Sequence, residues 1–225
     1  CQMRLKLPNN SNIISLSLGI ICALRNDPWA LRYFSIFSLI IWFWLIIKNK
    51  IPKDIFKETF RFGFGYFFIS LIWIVEPFFV EPWIHGWIAP IALIALPSFL
   101  ALIWALFAFL GHYFLSSIGI VIGLSLAEYC RLYLLTGFPW ATISYVLLDT
   151  KAEKWLSLIG PYGLSLFLLF TCFIIAFAFQ TRKKLNAFLA VSTTSILFLI
   201  PHFFGKENSR SLSFSVRLIQ PNAVQ

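Results

Sequence analysis

Seven long apolar runs alternate with short polar stretches along the chain. A membrane-crossing helix needs about 20 mostly apolar residues, within a range of roughly 17–25. The runs lie near Ser11–Leu24, Trp29–Ile47, Phe62–Val75, Trp87–Leu110, His112–Leu135, Trp155–Gln180 and Leu185–Phe204. The fourth carries no charged residue. Its Pro90 and Pro97 are compatible with a membrane helix, where neighbouring groups satisfy the freed carbonyls. The pattern predicts an all-α polytopic membrane protein of about seven transmembrane helices.

The pattern changes after Phe204. The tail turns polar, then alternates apolar and polar residues through Leu212, Phe214, Val216 and Leu218. A period of two argues a β-strand, and the Gln-Pro-Asn that follows is a turn signal. A strand needs partners, and none follows. The expected organisation is a transmembrane helical domain over residues 1–205. Residues 206–225 then form a linker and the first strand of a truncated extracytoplasmic domain.

Composition agrees. The chain is 60% hydrophobic and 12% charged, with 26 Phe. An average soluble domain carries about 25% charged residues. One water-soluble core cannot hide this much apolar surface. A net charge of +9 would suggest nucleic acid in a soluble protein; here it orients helices instead. With the N-terminus inside, the inner segments hold ten cations: Arg4, Lys6, Lys48, Lys50, Lys53, Lys57, Arg61, Arg182, Lys183 and Lys184. The outer loops hold five: Arg25, Arg32, Arg131, Lys151 and Lys154. Lys and Arg collect on the cytoplasmic side. The expectation is a cytoplasmic N-terminus and, in a bacterium, a periplasmic tail.

Cys1, Cys22, Cys130 and Cys172 form no CxxC pair and read as small buried apolar residues. His85, His112 and His202 sit at different segment ends and read as interfacial. No metal site, cofactor motif or nucleophile with its base is apparent. Gly63 and Gly65 lack a preceding strand and the full phosphate-loop spacing, so they read as helix-packing surfaces.

The most informative stretch is AEYCRLYLLTGFPWATISY, from Ala127 to Tyr145. Glu128 and Arg131 lie three apart on one helix face, where each partly neutralises the other. Charges in membrane helices are costly and usually paired. The pair is either an intrahelical clasp or the lining of a polar cavity for a lipid headgroup. Gly137 and Pro139 then break the helix, and Phe138 and Trp140 suit the membrane–water interface. The apolar segment from Thr136 to Asp149 either lies across the membrane surface or is a plain interfacial turn. Gly160, Gly163 and Ser165, in SLIGPYGLSLF, read as small surfaces for close helix packing. Glu76 and Glu81 either attract a cationic headgroup or mark the interface.

Taken together these stretches resemble the bacterial apolipoprotein N-acyltransferase family. RFGFGYFFISLIWI is similar to its glycine-rich third-helix segment. FVEPWIHGWIAPIALIALPSFLALIWALF is similar to the segment that follows. AEYCRLYLLTGFPW resembles the family's signature, and SLIGPYGLSLF resembles the next one. VRLIQPNAVQ resembles the opening strand and turn of its nitrilase-like domain. Tyr129 stands where the family usually has Trp, and Leu132 where it usually has Gly; the latter change alters packing beside the signature.

The resemblance implies the last step of lipoprotein maturation at the bacterial inner membrane. An acyl chain passes from a phospholipid donor, through a thioester, to the α-amino group of a diacylglyceryl-cysteine on an apolipoprotein acceptor. The residues for that covalent chemistry belong to the nitrilase-like domain, so no catalytic residue is assigned here. Gly137, Pro139, Trp140, Glu128 and Arg131 are the implied lipid or substrate residues of the outer face. No cofactor, metal or nucleic acid is implied. Two rival readings are a non-catalytic membrane fragment and an unrelated lipid-binding or transport protein.

Overall fold

The computed structural model describes residues 11–24, 31–48, 51–134 and 137–203. The predicted tail strand lies outside the described residues. Those described are helical, with no strand among them. The main helices are α1 (Ser11–Ala23), α2 (Leu31–Ile46), α3 (Pro52–Ser70), α5 (Ala89–Cys130), α6 (Leu156–Thr181) and α7 (Lys184–Leu199), with a one-turn α4 (Pro82–His85) between α3 and α5.

Two helical runs are long and apolar enough to cross a membrane, Pro82–Cys130 and Lys151–Thr181. A third qualifies if α3 and the 3-10 segment Ile72–Phe79, bent by 45°, count as one span. Pro52 opens α3 in its first turn and Asp54 sits near the same end; both favour a helix N-terminus.

α5 contains 42 residues. A straight helix of that length would reach roughly 60 Å, about twice the hydrocarbon thickness. It does not run straight. Ser116 has φ 56° and ψ −147°, and the chain reverses there. The two arms, residues 89–115 and 117–130, fold back on each other so closely that glycine is required. A Cβ on Gly119 would run into the Gly111 carbonyl, and one on Gly123 into that of Phe107. The sequence pattern placed the division near Gly111; the reversal falls a few residues later. This position suits glycine–backbone contact between the arms, which hydropathy does not report.

Around this hairpin, α3 packs against α5 and α1, while α6 packs against α2, α5 and α7. Gly63 abuts Ala101 and Trp104, and Gly65 faces the Leu16 carbonyl of α1, in keeping with their reading as packing surfaces. The core is aromatic. Trp42 stacks on Phe62 at 4.5 Å, Tyr66 stacks on Trp104 at 5.3 Å, and Phe67 meets Trp104 edge-on at 4.6 Å. Glu58 ties α3 to α1 by accepting from Ser15 at 2.5 Å, and Arg61 satisfies its other oxygen at 2.8 Å. Ser38 of α2 donates to the Leu18 carbonyl.

Two expectations need correction. Gly160 does not pack against another helix. It has φ 65° and ψ 178°, nothing within 4 Å of where its Cβ would be, and it marks a kink before Pro161. A Cβ on Gly163 would meet Ile159 of its own helix. Of that trio only Ser165 is buried against another segment. His112 is buried in the α5 hairpin, four residues before the reversal at Ser116. His85 is exposed, 3.8 Å from Glu81. Cys22 and Cys172 are buried, and Cys130 is half-buried.

Candidate functional site

The signature stretch folds as a helix end followed by a tethered loop. Glu128 lies in the last turn of α5 and Arg131 caps its C-terminus, and both are about 1% exposed. Their i,i+3 spacing brings Arg131 Nη1 within 3.5 Å of Glu128 Oε1. Charges this deep require further partners; the structure supplies several, although Arg131 Nε and Nη1 make no hydrogen bond to the described residues. Trp104, on the opposite arm of α5, donates Nε1–H to Glu128 Oε1 at 2.9 Å. The Ile143 amide donates to Glu128 Oε2 at 3.2 Å. Arg131 donates from Nη2 to the Trp140 carbonyl at 3.0 Å, and its guanidinium lies 4.9 Å over the Phe67 ring. This last contact is a cation–π arrangement.

These bonds hold the loop residue by residue. The Phe138 amide donates to the Arg131 carbonyl at 2.8 Å. Arg131 holds residue 140. Tyr66 of α3 donates its hydroxyl to the Ala141 carbonyl at 3.2 Å. Glu128 holds residue 143, and Ser165 of α6 accepts from the Ser144 amide at 3.2 Å. Thr142 closes a local turn by donating to the Pro139 carbonyl at 2.7 Å. Ala141 sits at φ 56°, a conformation that persists where surrounding contacts over-determine it. Gly137 has φ 83°, and a Cβ there would stand 2.5 Å from the Leu132 carbonyl. Glycine is the residue for that turn.

Beyond Trp140 the segment turns inward. Ile143, Val146 and Leu147 are buried in the core. The apolar character of this segment therefore reflects packing into the helices. Its exposed aromatic is Trp140, 52% accessible. Trp140 lies 5.2 Å from Phe138 and 6.4 Å from Trp73 of the Ile72–Phe79 segment. None of the residues of that segment is buried, so Trp73 and Trp140 belong to one exposed aromatic surface.

The sequence brings Glu128, Arg131, Gly137, Pro139 and Trp140 into one stretch, and the structure keeps them in one cluster. Glu76 and Glu81 lie on the exposed segments before α5, outside the clasp. Sequence reasoning missed Trp104, Tyr66, Phe67 and Ser165. A buried indole N–H or tyrosine hydroxyl in an apolar helix needs an acceptor, and that was the available signal. Among the described residues, no group of three His, Cys, Asp or Glu side chains is placed to hold a metal.

The architecture defines a helical domain able to span a membrane, with a buried ion-paired clasp that fixes one end-loop. Residues 18–174 match the apolipoprotein N-acyltransferase N-terminal domain, and the chain belongs to that family. It is 31% identical over 165 residues to the apolipoprotein N-acyltransferase of Rhodopseudomonas palustris, covering 68% of this chain and 31% of that protein. The Sinorhizobium fredii protein of the same name is 37% identical over 143 residues, covering 56% of this chain and 27% of the relative. That of Allorhizobium ampelinum is 27% identical over 240 residues, covering 95% of this chain and 44% of the relative. The chain thus spans less than half the length of these relatives.

Proposed function

We propose that this chain is the membrane part of an apolipoprotein N-acyltransferase of the bacterial inner membrane. The whole protein would transfer an acyl chain from a phospholipid to the N-terminal diacylglyceryl-cysteine of an apolipoprotein. In this reading residues 1–205 form the transmembrane domain, and residues 206–225 lead into the periplasmic catalytic domain. α1, α2, α3, the two arms of α5, α6 and α7 make seven crossings, with the N-terminus cytoplasmic by the distribution of Lys and Arg.

The observation that carries the proposal is the clasped loop. Backbone groups at residues 138, 140, 141, 143 and 144 are bonded to α3, α5 or α6, while the Trp140 ring remains exposed. Both substrates are lipids, and their reacting groups lie at headgroup depth. A fixed loop presenting an interfacial Trp suits holding such groups beneath a catalytic domain. In this role Gly137 and Pro139 shape the turn and Trp140 contacts lipid. Glu128 and Arg131 serve by positioning. The chemistry is assigned to no residue of this chain.

The test uses the whole protein expressed from its own gene. It is supplied with a diacylglyceryl-cysteine peptide and phosphatidylethanolamine carrying a labelled acyl chain. The expected product is a peptide labelled on its α-amino group. Label that stays in phospholipid under conditions where a known relative transfers it would contradict the reading.

A further inference from the structure

We infer that the groove between α6 and α7 binds an anionic glycerophospholipid of the inner leaflet, with its phosphate at Arg182 and an acyl chain between the helices. This rests on the orientation proposed above, which places the turn between α6 and α7 on the cytoplasmic side. The groove has a volume of about 560 Å³, within the roughly 300–1,000 Å³ usual for ligand sites. Its walls are apolar, with Ile175 and Phe179 on α6 and Ala190 and Val191 on α7. Arg182 lines one end.

The helices meet at both ends of the groove. Near the turn, Asn186 donates to Thr181 Oγ1 at 2.6 Å. At the far end, Trp155 donates Nε1–H to the Leu197 carbonyl at 3.2 Å. Thr194, which also lines the groove, spends its hydroxyl on the Ala190 carbonyl at 2.8 Å, and Ser195 is the other hydroxyl on that wall.

Charge decides what kind of lipid fits. Arg182, Lys183 and Lys184 are consecutive, and no Asp or Glu occurs between Lys154 and Phe203. A fourth cation, Lys48, stands 3.7 Å over the Trp44 ring, and the Trp44 carbonyl accepts from Gln180 of α6 at 2.5 Å. The mouth is therefore cationic, with no carboxylate from α6 or α7 to receive a zwitterionic lipid's ammonium. An anionic headgroup is attracted, by about a factor of five for each Lys or Arg near the surface.

The test is native mass spectrometry of the whole protein equilibrated in mixed micelles of phosphatidylglycerol and phosphatidylcholine. The wild type is expected to retain one phosphatidylglycerol over phosphatidylcholine by on the order of tenfold. Arg182→Ala with Lys184→Ala should erase that preference, and Arg182→Lys should keep most of it. Ala190→Trp, which fills the groove, should abolish retention of the lipid. Equal retention of the two lipids by wild type overturns the proposal, as does a preference that survives the double substitution or Ala190→Trp. Orientation is read separately by impermeant maleimide on Lys183→Cys in a protein whose native cysteines are replaced by alanine. Labelling only after cells are opened supports the inner-leaflet assignment, and labelling of intact cells overturns it. Neither readout depends on acyl transfer.

Discussion

Trp104 donates its indole N–H to the Glu128 carboxylate at 2.9 Å, joining the two arms of α5 across 24 residues of sequence. The same carboxylate accepts from the Ile143 amide. One buried side chain thus couples the closure of the helical hairpin to the seating of the loop that follows it.

Removing Glu128 should therefore cost both. Glu128→Ala leaves Arg131 buried without its counter-charge, a loss of about 3–5 kcal/mol. The expected outcome is a large fall in unfolding temperature and faster hydrogen exchange at the Ile143 amide. Glu128→Gln retains an acceptor for Trp104 and should fall between the two. If Glu128→Ala unfolds at the wild-type temperature, the carboxylate does not hold the loop.

Trp104→Phe tests the other half of the bond. The aromatic contacts with Tyr66 and Phe67 can persist, but one Glu128 oxygen loses its donor. The penalty for an unmet buried group is roughly 1–3 kcal/mol. Combined with Glu128→Ala, the two effects should be clearly less than additive.

The hairpin itself depends on glycine. Gly119→Val should prevent accumulation of folded protein, because any Cβ there meets the Gly111 backbone. Gly86→Ala is the control: its nearest neighbour would be Pro82 Cβ at 3.7 Å, and the yield should match wild type. Detergent-soluble, monodisperse yield is the readout.

Gly160 gives a different prediction, because space there is open and only the backbone objects. At φ 65° and ψ 178° an alanine is strained by about 1–3 kcal/mol. Gly160→Ala should lower the unfolding temperature modestly without loss of yield.

The contrast between these glycines shows what was legible in the sequence. Apolar runs marked the main helices, because burial in lipid or in protein needs the same residues. For that reason they did not distinguish the inward-facing Ile143, Val146 and Leu147 from a lipid-facing surface. Gly63 and Gly65 were readable as packing residues, whereas Gly160 sits in an equally apolar setting and serves the backbone. Glu128 and Arg131 announced themselves as a pair by spacing. Trp104, which bonds Glu128, and Tyr66 and Ser165, which bond the loop backbone, are far away in sequence and come together only through the α5 hairpin and its neighbours. The reversal at Ser116 had no glycine or proline to mark it.

In the proposed function, the clasped loop presents Trp140 to lipid substrate. The most direct measurement is acyl transfer by the whole protein carrying Trp140→Ala, with unfolding temperature measured on the same preparation. The Trp140 side chain is half exposed and its backbone makes the bond to Arg131, so the fold should be kept. The expected result is a loss of transfer on the order of tenfold, about the worth of one aromatic contact of 0.5–1.5 kcal/mol together with misplacement of the lipid. Trp140→Phe should recover much of it. Full transfer by Trp140→Ala at wild-type protein level would remove Trp140 from any role in holding lipid.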